Sequence, residues 1–270
     1  MLYRWKVRAL KVPRLNRLWR RWRQSRGDVV GSYDRLPDYI RAHAPGRTFA
    51  DIGCMWGVNG GFAFLAEDSG ATAVKAVDVF GPTPEFEETR RARASHVEFI
   101  LGDVTRSETI ARVGEADVVL CAGVLYHHPS PFDLLVALRR ICRGTLILRT
   151  STIPEVRGLP HAAVYFPHLD APDRSLWNLK RLGVRHQAGI STAFQPREGY
   201  GNWFWGLTPS CLESLLATAG FRVDFRATEA FAQTVICTVV DVPLEHRLPD
   251  EHEARALARD ISRAGIARPA

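Results

Sequence analysis

One stretch constrains this chain more than any other: Phe49-Ala50-Asp51-Ile52-Gly53-Cys54-Met55-Trp56-Gly57-Val58-Asn59-Gly60-Gly61. A short apolar β run, Thr48–Ile52, breaks into a glycine-rich turn, and helical spacing follows from Gly60 to Ser69 before Gly70 stops it. Glycine there lets a ligand approach bare backbone, and the first N–H groups of the helix stay unpaired and attract an anion. Further β runs follow at Ala73–Val79, Val97–Leu101, Asp117–Ala122 and Thr145–Arg149. Helical segments lie before and between them: Asp34–Ala44, ended by Pro45-Gly46, and Pro131–Cys142, with Phe132, Leu135, Leu138 and Cys142 on one face. Apolar strands separated by helices predict a parallel sheet covered on both faces.

After Ser151 the rhythm changes. Residues 151–207 are rich in Pro, Gly, His and aromatics with no sustained period, and a connection of that length marks a lid or binding insertion. Thr208 as N-cap and Pro209 at N1 then open a helix through Ala219, closed by Gly220. Two more β runs, Arg222–Arg226 and Val235–Val240, complete a seven-stranded count. The expected fold is therefore α/β, doubly wound and mostly parallel, with an aromatic-rich insertion between the fifth strand and the last helix of the domain. The expected divisions are a basic segment over 1–27, a main domain over 28–241, and a charged tail over 242–270 that turns helical from Pro249.

Charge separates the first division from the second. Residues 1–27 hold ten of the 36 Lys/Arg and no acidic residue, which leaves 26 Lys/Arg against 29 Asp/Glu, a net −3, in the other 243. On a helix over Arg14–Arg23, Leu15, Leu18, Trp19 and Trp22 fall in one arc and the arginines take the rest. Such a helix docks on its own domain, on a membrane surface or on an RNA. The five dispersed cysteines show no metal-ligand spacing, so the expectation is reduced thiols, a cytoplasmic setting and no metal site. No secretory leader or transmembrane span is expected: Arg4, Lys6, Arg8 and Lys11 interrupt the start, and Val118–Tyr126 is too short to span.

Three acidic residues close three successive β runs: Asp51 in the first, Asp78 at the end of the second, Asp103 just after the third. In an open α/β sheet that edge is where ligands bind. A dinucleotide fingerprint would place glycine where Met55 stands, so a nucleotide without a pyrophosphate fits better.

These residues, with Ala116-Asp117-Val118-Val119-Leu120-Cys121, resemble class I S-adenosylmethionine-dependent methyltransferases over roughly residues 45–150. The resemblance implies a Rossmann-like fold and S-adenosylmethionine as cofactor. It implies that Asp51, Gly53, Cys54 and Gly57 contact the methionine end, Asp78 the ribose, Asp103 and Val104 the adenine, and that Val79 and Gly123 belong to the same cofactor site. A narrower similarity links Gly123-Val124-Leu125-Tyr126-His127-His128-Pro129-Ser130-Pro131 and Asn202-Trp203-Phe204-Trp205-Gly206-Leu207-Thr208-Pro209-Ser210 to the transfer-RNA wobble-uridine carboxymethyl transferases and their small-molecule relatives.

Methyl transfer to a hydroxyl benefits from a base near neutral pKa, which histidine supplies. Tyr126, His127 and His128 are the catalytic candidates; alternatively the histidines only cap the turn before Pro129. Arg149, Tyr165, Trp177, Asn202, Trp203 and Trp205 are candidates for binding the acceptor; His161, His168 and Tyr200 join the aromatics among them as a candidate substrate wall, and Arg174 joins Arg149 as a candidate holder of a carboxylate or phosphate. The aromatics among them serve equally well as the insertion's own core. The leading expectation is methylation of a hydroxyl on a small or lipid-linked acceptor. The rivals are modification of a transfer-RNA wobble uridine, with residues 1–27 gripping phosphates, and an inactive cofactor-binding scaffold at a membrane surface.

Overall fold

The fold is described from a computed structural model over residues 2–184, 187–241 and 251–263. Two helices, α1 (Leu2–Leu10) and α2 (Pro13–Ser25), precede the main domain. A 3-10 turn at Tyr33–Arg35, capped by Ser32, leads into α3 (Leu36–His43), so the helix expected from Asp34 begins two residues later, where Pro37 fixes its first turn. Then come β1 (Thr48–Ile52), α4 (Gly61–Asp68), β2 (Ala73–Asp78), α5 (Pro84–Ala92), β3 (Glu98–Leu101), α6 (Ser107–Val113), β4 (Ala116–Ala122), α7 (Pro131–Ile141) and β5 (Cys142–Ser151). The insertion carries β6 (Ala163–Tyr165), α8 (Ala171–Leu176) and β7 (Trp205–Leu207). The chain returns to the sheet through α9 (Pro209–Thr218), β8 (Phe221–Thr228) and β9 (Ala232–Val239), and α10 (Glu251–Arg263) follows. The start of the expected tail helix, Pro249 and Asp250, lies outside the described residues.

The main sheet has seven strands in the order β3-β2-β1-β4-β5-β9-β8. β1 to β5 pair in parallel, and β9 runs antiparallel to both β5 and β8. Pairing with β9 continues from Thr145 to Ser151, which carries β5 past the expected end at Arg149. Alternate residues of each central strand face opposite layers. Ala50, Ile52, Val119 and Cys121 pack with Leu134, Leu138 and Leu212 from α7 and α9. Phe49, Val118 and Leu120 pack with Leu36, Ile40, Phe64 and Phe86 from α3, α4 and α5. Burial on both faces is why these strands read as unbroken apolar runs.

A third core lies outside the sheet. Val7 and Leu10 of α1 pack against Ile153, Phe166, Leu176, Trp177 and Trp203 of the insertion, together with Phe231. Segment and insertion therefore share one hydrophobic cluster. Thr208 Oγ1 accepts the Cys211 N–H at 3.3 Å, the N-cap its position before Pro209 predicts. No helix among the described residues is long and apolar enough to cross a membrane.

Candidate active site

The carboxyl ends of β1, β2, β3 and β4 open onto a cavity of about 250 Å³. Parallel pairing produces this convergence: Asp51 sits level with Ala76 on β2 and Leu120 on β4, and Asp78 is level with Leu101, just before Asp103. Ten of the cofactor-binding and catalytic candidates line the cavity: Asp51, Gly53, Asp78, Val79, Asp103, Val104, Gly123, Tyr126, His127 and His128.

The turn after β1 is shaped by close approach. Gly53 has φ +83° and donates its N–H to the Val77 carbonyl at 2.8 Å. A Cβ at Gly53 would lie 2.2 Å from Val124 Cγ2, so only glycine lets the turns after β1 and β4 meet. Asp78 ties the same turn to β2: Oδ2 accepts the Met55 N–H at 2.8 Å and Oδ1 accepts the Phe80 N–H at 2.9 Å. Met55 points its side chain into the core beside Phe64, which removes the steric conflict its position suggests. Cys54 is buried in the same cluster, and Gly57, at φ +73°, shapes the turn; neither lines the cavity.

The two buried carboxylates have different surroundings. Burial, then the neighbouring Asp78 charge, pushes the Asp51 carboxyl up to about 7. One of its oxygens, Oδ2, is buried with no hydrogen-bond partner. Burial also raises Asp78, against the pull of its backbone N–H partners. Asp103 goes the other way: burial opposes it, but hydrogen bonds from Tyr200 and Thr105 hold its carboxyl below the usual range.

The turn after β4, a 3-10 helix over Leu125–His127, forms the opposite wall. The insertion grips it at three points. Phe204 N–H donates to the Tyr126 carbonyl at 2.9 Å, His127 Nδ1 lies 2.8 Å from the Asn202 carbonyl, and Trp205 Nε1 donates to the Pro129 carbonyl at 2.9 Å. A ring nitrogen facing a carbonyl must carry the proton, so neutral His127 keeps its lone pair on Nε2. The Tyr126 ring packs between His127 and Trp203, with centroids 4.1 and 4.4 Å away, and burial pushes its phenol up to about 12. His128 is buried, its Nδ1 lies 2.7 Å from the Ser130 carbonyl, and its Nε2 has no partner. Burial lowers its pKa, so it is neutral at pH 7.

Arg149, Tyr165, Trp177, Asn202, Trp203 and Trp205 do not line the cavity. Arg149 donates to Glu229 Oε1 and to Thr234 Oγ1, and its guanidinium lies 5.6 Å from the Tyr33 ring; an ion pair consumes it. Trp177 and Trp203 are core residues of the insertion, as their apolar bulk favours. Asn202 is fully buried and spends its amide on Gln195 and Gly199. Tyr165 packs on Trp205 at 4.8 Å across the β6–β7 pair. Of the insertion's candidate substrate wall, Tyr200 lines the cavity: its hydroxyl donates to Asp103 Oδ2 at 2.6 Å and its ring stacks on His128 at 5.4 Å. Tyr33, Trp56, Val58, Phe62 and Phe80 also line the cavity. Trp56 and Phe80 follow directly on the two strand ends, where proximity to Gly53 and Asp78 is a usable signal; Tyr33 has none.

This strand order, with a glycine turn after β1 and carboxylates at successive strand ends, is the Rossmann-like fold of S-adenosylmethionine-dependent methyltransferases. Solved structures of that fold include the N-terminal domain of EvdMO1 with S-adenosylhomocysteine bound, which is 20% identical with a TM-score of 0.52 over 78% of this chain and 82% of that one. Another is the 1,6-didemethyltoxoflavin-N1-methyltransferase of Burkholderia thailandensis, with 1,6-didemethyltoxoflavin and S-adenosylhomocysteine bound; it is 17% identical with a TM-score of 0.51 over 76% of each chain. Among curated proteins, the tRNA U34 carboxymethyltransferase of Shewanella baltica is 30% identical over 165 residues, covering 53% of this chain and 46% of that protein. The enzyme of the same name from Shewanella frigidimarina is 30% identical over 166 residues. The chain thus spans about half the length of the curated relatives it matches. No family model matches the chain.

Proposed function

We propose that the protein is an S-adenosylmethionine-dependent methyltransferase that methylates a hydroxyl of a small or lipid-linked acceptor. The observation that carries this reading is the buried, unpartnered Asp51 Oδ2 in a cavity that also contains the Tyr126–His128 turn. A carboxylate with a pKa near 7 beside a second carboxylate calls for a cationic ligand, because a nearby positive charge restores its ionised form. S-adenosylmethionine, with its ammonium and sulfonium, meets that demand and supplies an electrophilic methyl group.

In this reading Asp51 and the Gly53 backbone hold the methionine end, with Cys54 and Gly57 acting through the shape of the turn. Asp78, whose oxygens accept the Met55 and Phe80 N–H groups, keeps acceptor capacity for a ribose diol. Asp103, braced by Tyr200, takes the adenine between Val79 and Val104, and Gly123 leaves room at the border with the histidine turn. His127 or His128 removes the acceptor's hydroxyl proton at Nε2, while the Tyr126 phenol, protonated at neutral pH, orients the oxygen. Asn202, Trp203 and Trp205 are positioning residues that hold this turn from behind.

Turnover should appear as an acceptor heavier by one CH₂ when metabolite extract is incubated with the protein and S-adenosylmethionine. His127→Ala or His128→Ala should lower that turnover by roughly 100-fold or more. If His128 is that base, the rate should fall only on the acid side of pH 6.5, because burial lowers its pKa. Normal turnover by both variants would remove the base from the reading.

A second reading, modification of a transfer-RNA wobble uridine, is favoured by the 30% identity to the Shewanella enzymes. The net −3 of the chain beyond residue 27 offers phosphates little attraction. Salt-dependent binding of bulk transfer RNA that disappears on deletion of residues 1–27 would favour it.

A further inference from the structure

The helix α2 is turned the wrong way round for a helix that exists to pack on its own domain. The side it presents inward is polar. Asn16 Nδ2 donates to the Leu10 carbonyl at 2.9 Å, Arg20 to the Gly31 carbonyl at 3.2 Å, and Arg23 pairs with Asp28 at 2.8 Å. Of its apolar residues only Trp19 reaches the insertion core. Leu15, Leu18 and Trp22 remain 44%, 58% and 51% exposed. At about 100° per residue these three fall within roughly 60° of one another, so they form a continuous stripe. Water gains nothing from three large apolar groups in line, and an exposed apolar stripe marks an interaction surface.

Charge states what covers it. Arg14, Arg17 and Arg21 are exposed on one flank of the stripe, and Arg26 lies over the Trp22 ring at 5.2 Å. No acidic residue occurs in the first 27 positions. Neighbouring α1 likewise buries Val7 and Leu10 but leaves Leu2 and Trp5 86% and 70% exposed. A bilayer surface with anionic headgroups matches both halves of this pattern: Leu enters the acyl boundary, Trp settles at headgroup depth, and Arg reaches the phosphates. A nucleic acid would use the arginines and a stacking tryptophan but has no use for Leu15 and Leu18.

We propose that α2 seats the protein on anionic membrane surfaces through Leu15, Leu18 and Trp22, with Arg14, Arg17 and Arg21 supplying the electrostatic attraction. This stands whether or not the cavity transfers a methyl group. The full chain should float with vesicles of phosphatidylcholine containing about one-third phosphatidylserine at low salt, and release from them in high salt. Leu18→Gln/Trp22→Gln should weaken that partitioning by at least ~30-fold, and Arg14→Gln/Arg17→Gln/Arg21→Gln by roughly 100-fold. All these side chains are exposed, so the melting temperature should stay unchanged. The proposal fails if the intact protein stays off anionic vesicles, or if Leu18→Gln/Trp22→Gln floats like the parent. It also fails if that stripe variant instead abolishes a dimer. Binding of bulk transfer RNA that needs the arginines and ignores Leu18 and Trp22 would assign the arm to nucleic acid and overturn it too.

Discussion

The two walls of the cavity are built on different principles. The wall from β1 to β3 is a backbone construction: Gly53 can take its conformation only as glycine, and Asp78 spends both oxygens on N–H groups of adjoining turns. The wall after β4 is short and irregular, and side chains and carbonyls of a distant insertion hold it through Asn202, Phe204 and Trp205. The first wall follows from the sheet. The second depends on a separate hydrophobic core, so a fold of this kind can keep its strand-end wall and change the insertion-held wall independently.

Breaking the first wall should have the largest effect. Gly53→Ala forces a side chain into a positive φ and against Val124, at a cost of about 3 kcal/mol. The melting temperature should drop by roughly 6–12 °C, and a melt that moves by less than 2 °C would contradict the tight-turn account. A change in pH probes the same wall. Because the folded pKa of Asp51, about 7, exceeds its ordinary 3.8, ionisation in the folded protein costs stability. Its contribution is complete below about pH 4 and is lost as the pH climbs to about 7. The ligand-free protein should therefore melt lower at pH 8 than at pH 5, by a margin that Asp51→Asn reduces. An unchanged margin in the variant would assign the dependence elsewhere. The smallest effect tests the hydrogen bond from the insertion to the first wall: Tyr200→Phe removes the hydroxyl on Asp103 and should weaken cofactor binding by about 1–2 kcal/mol, roughly 5- to 30-fold. Equal affinity would show that this bond does not couple the insertion to the first wall.

The same contrast explains what was legible in the sequence. The inner strands announce themselves because burial on both faces demands runs such as Asp117–Ala122, the half-exposed edge strands β3 and β8 are legible as shorter β-type runs, and the observed ends of all seven differ from the expected ones by three residues at most. Parallel pairing then brings every strand-end candidate to one edge, so Asp51, Asp78 and Asp103 meet without any knowledge of side-chain packing. The insertion offers no such rule. Trp177 and Trp203 carry the same bulk whether they bind an acceptor or fill a core, and only the core with Val7 and Phe166 decides between them. Arg149 could not be assigned to Glu229, 80 positions away, before β5, β8 and β9 came together. Among the aromatics of the insertion the sequence offers no way to single out Tyr200, the one of that set that lines the cavity, and Tyr33 reaches it from a segment without period, which only the fold brings in.

The central claim is that the carboxylate wall binds S-adenosylmethionine. Isothermal calorimetry with the full chain tests it most directly. The intact protein should bind S-adenosylmethionine with one site per chain. Asp78→Ala, which loses the diol acceptor and orphans the Met55 and Phe80 N–H groups, should weaken binding by roughly 100-fold, about 3 kcal/mol. The absence of binding by the intact, folded protein, or unaltered affinity in Asp78→Ala, would contradict the account.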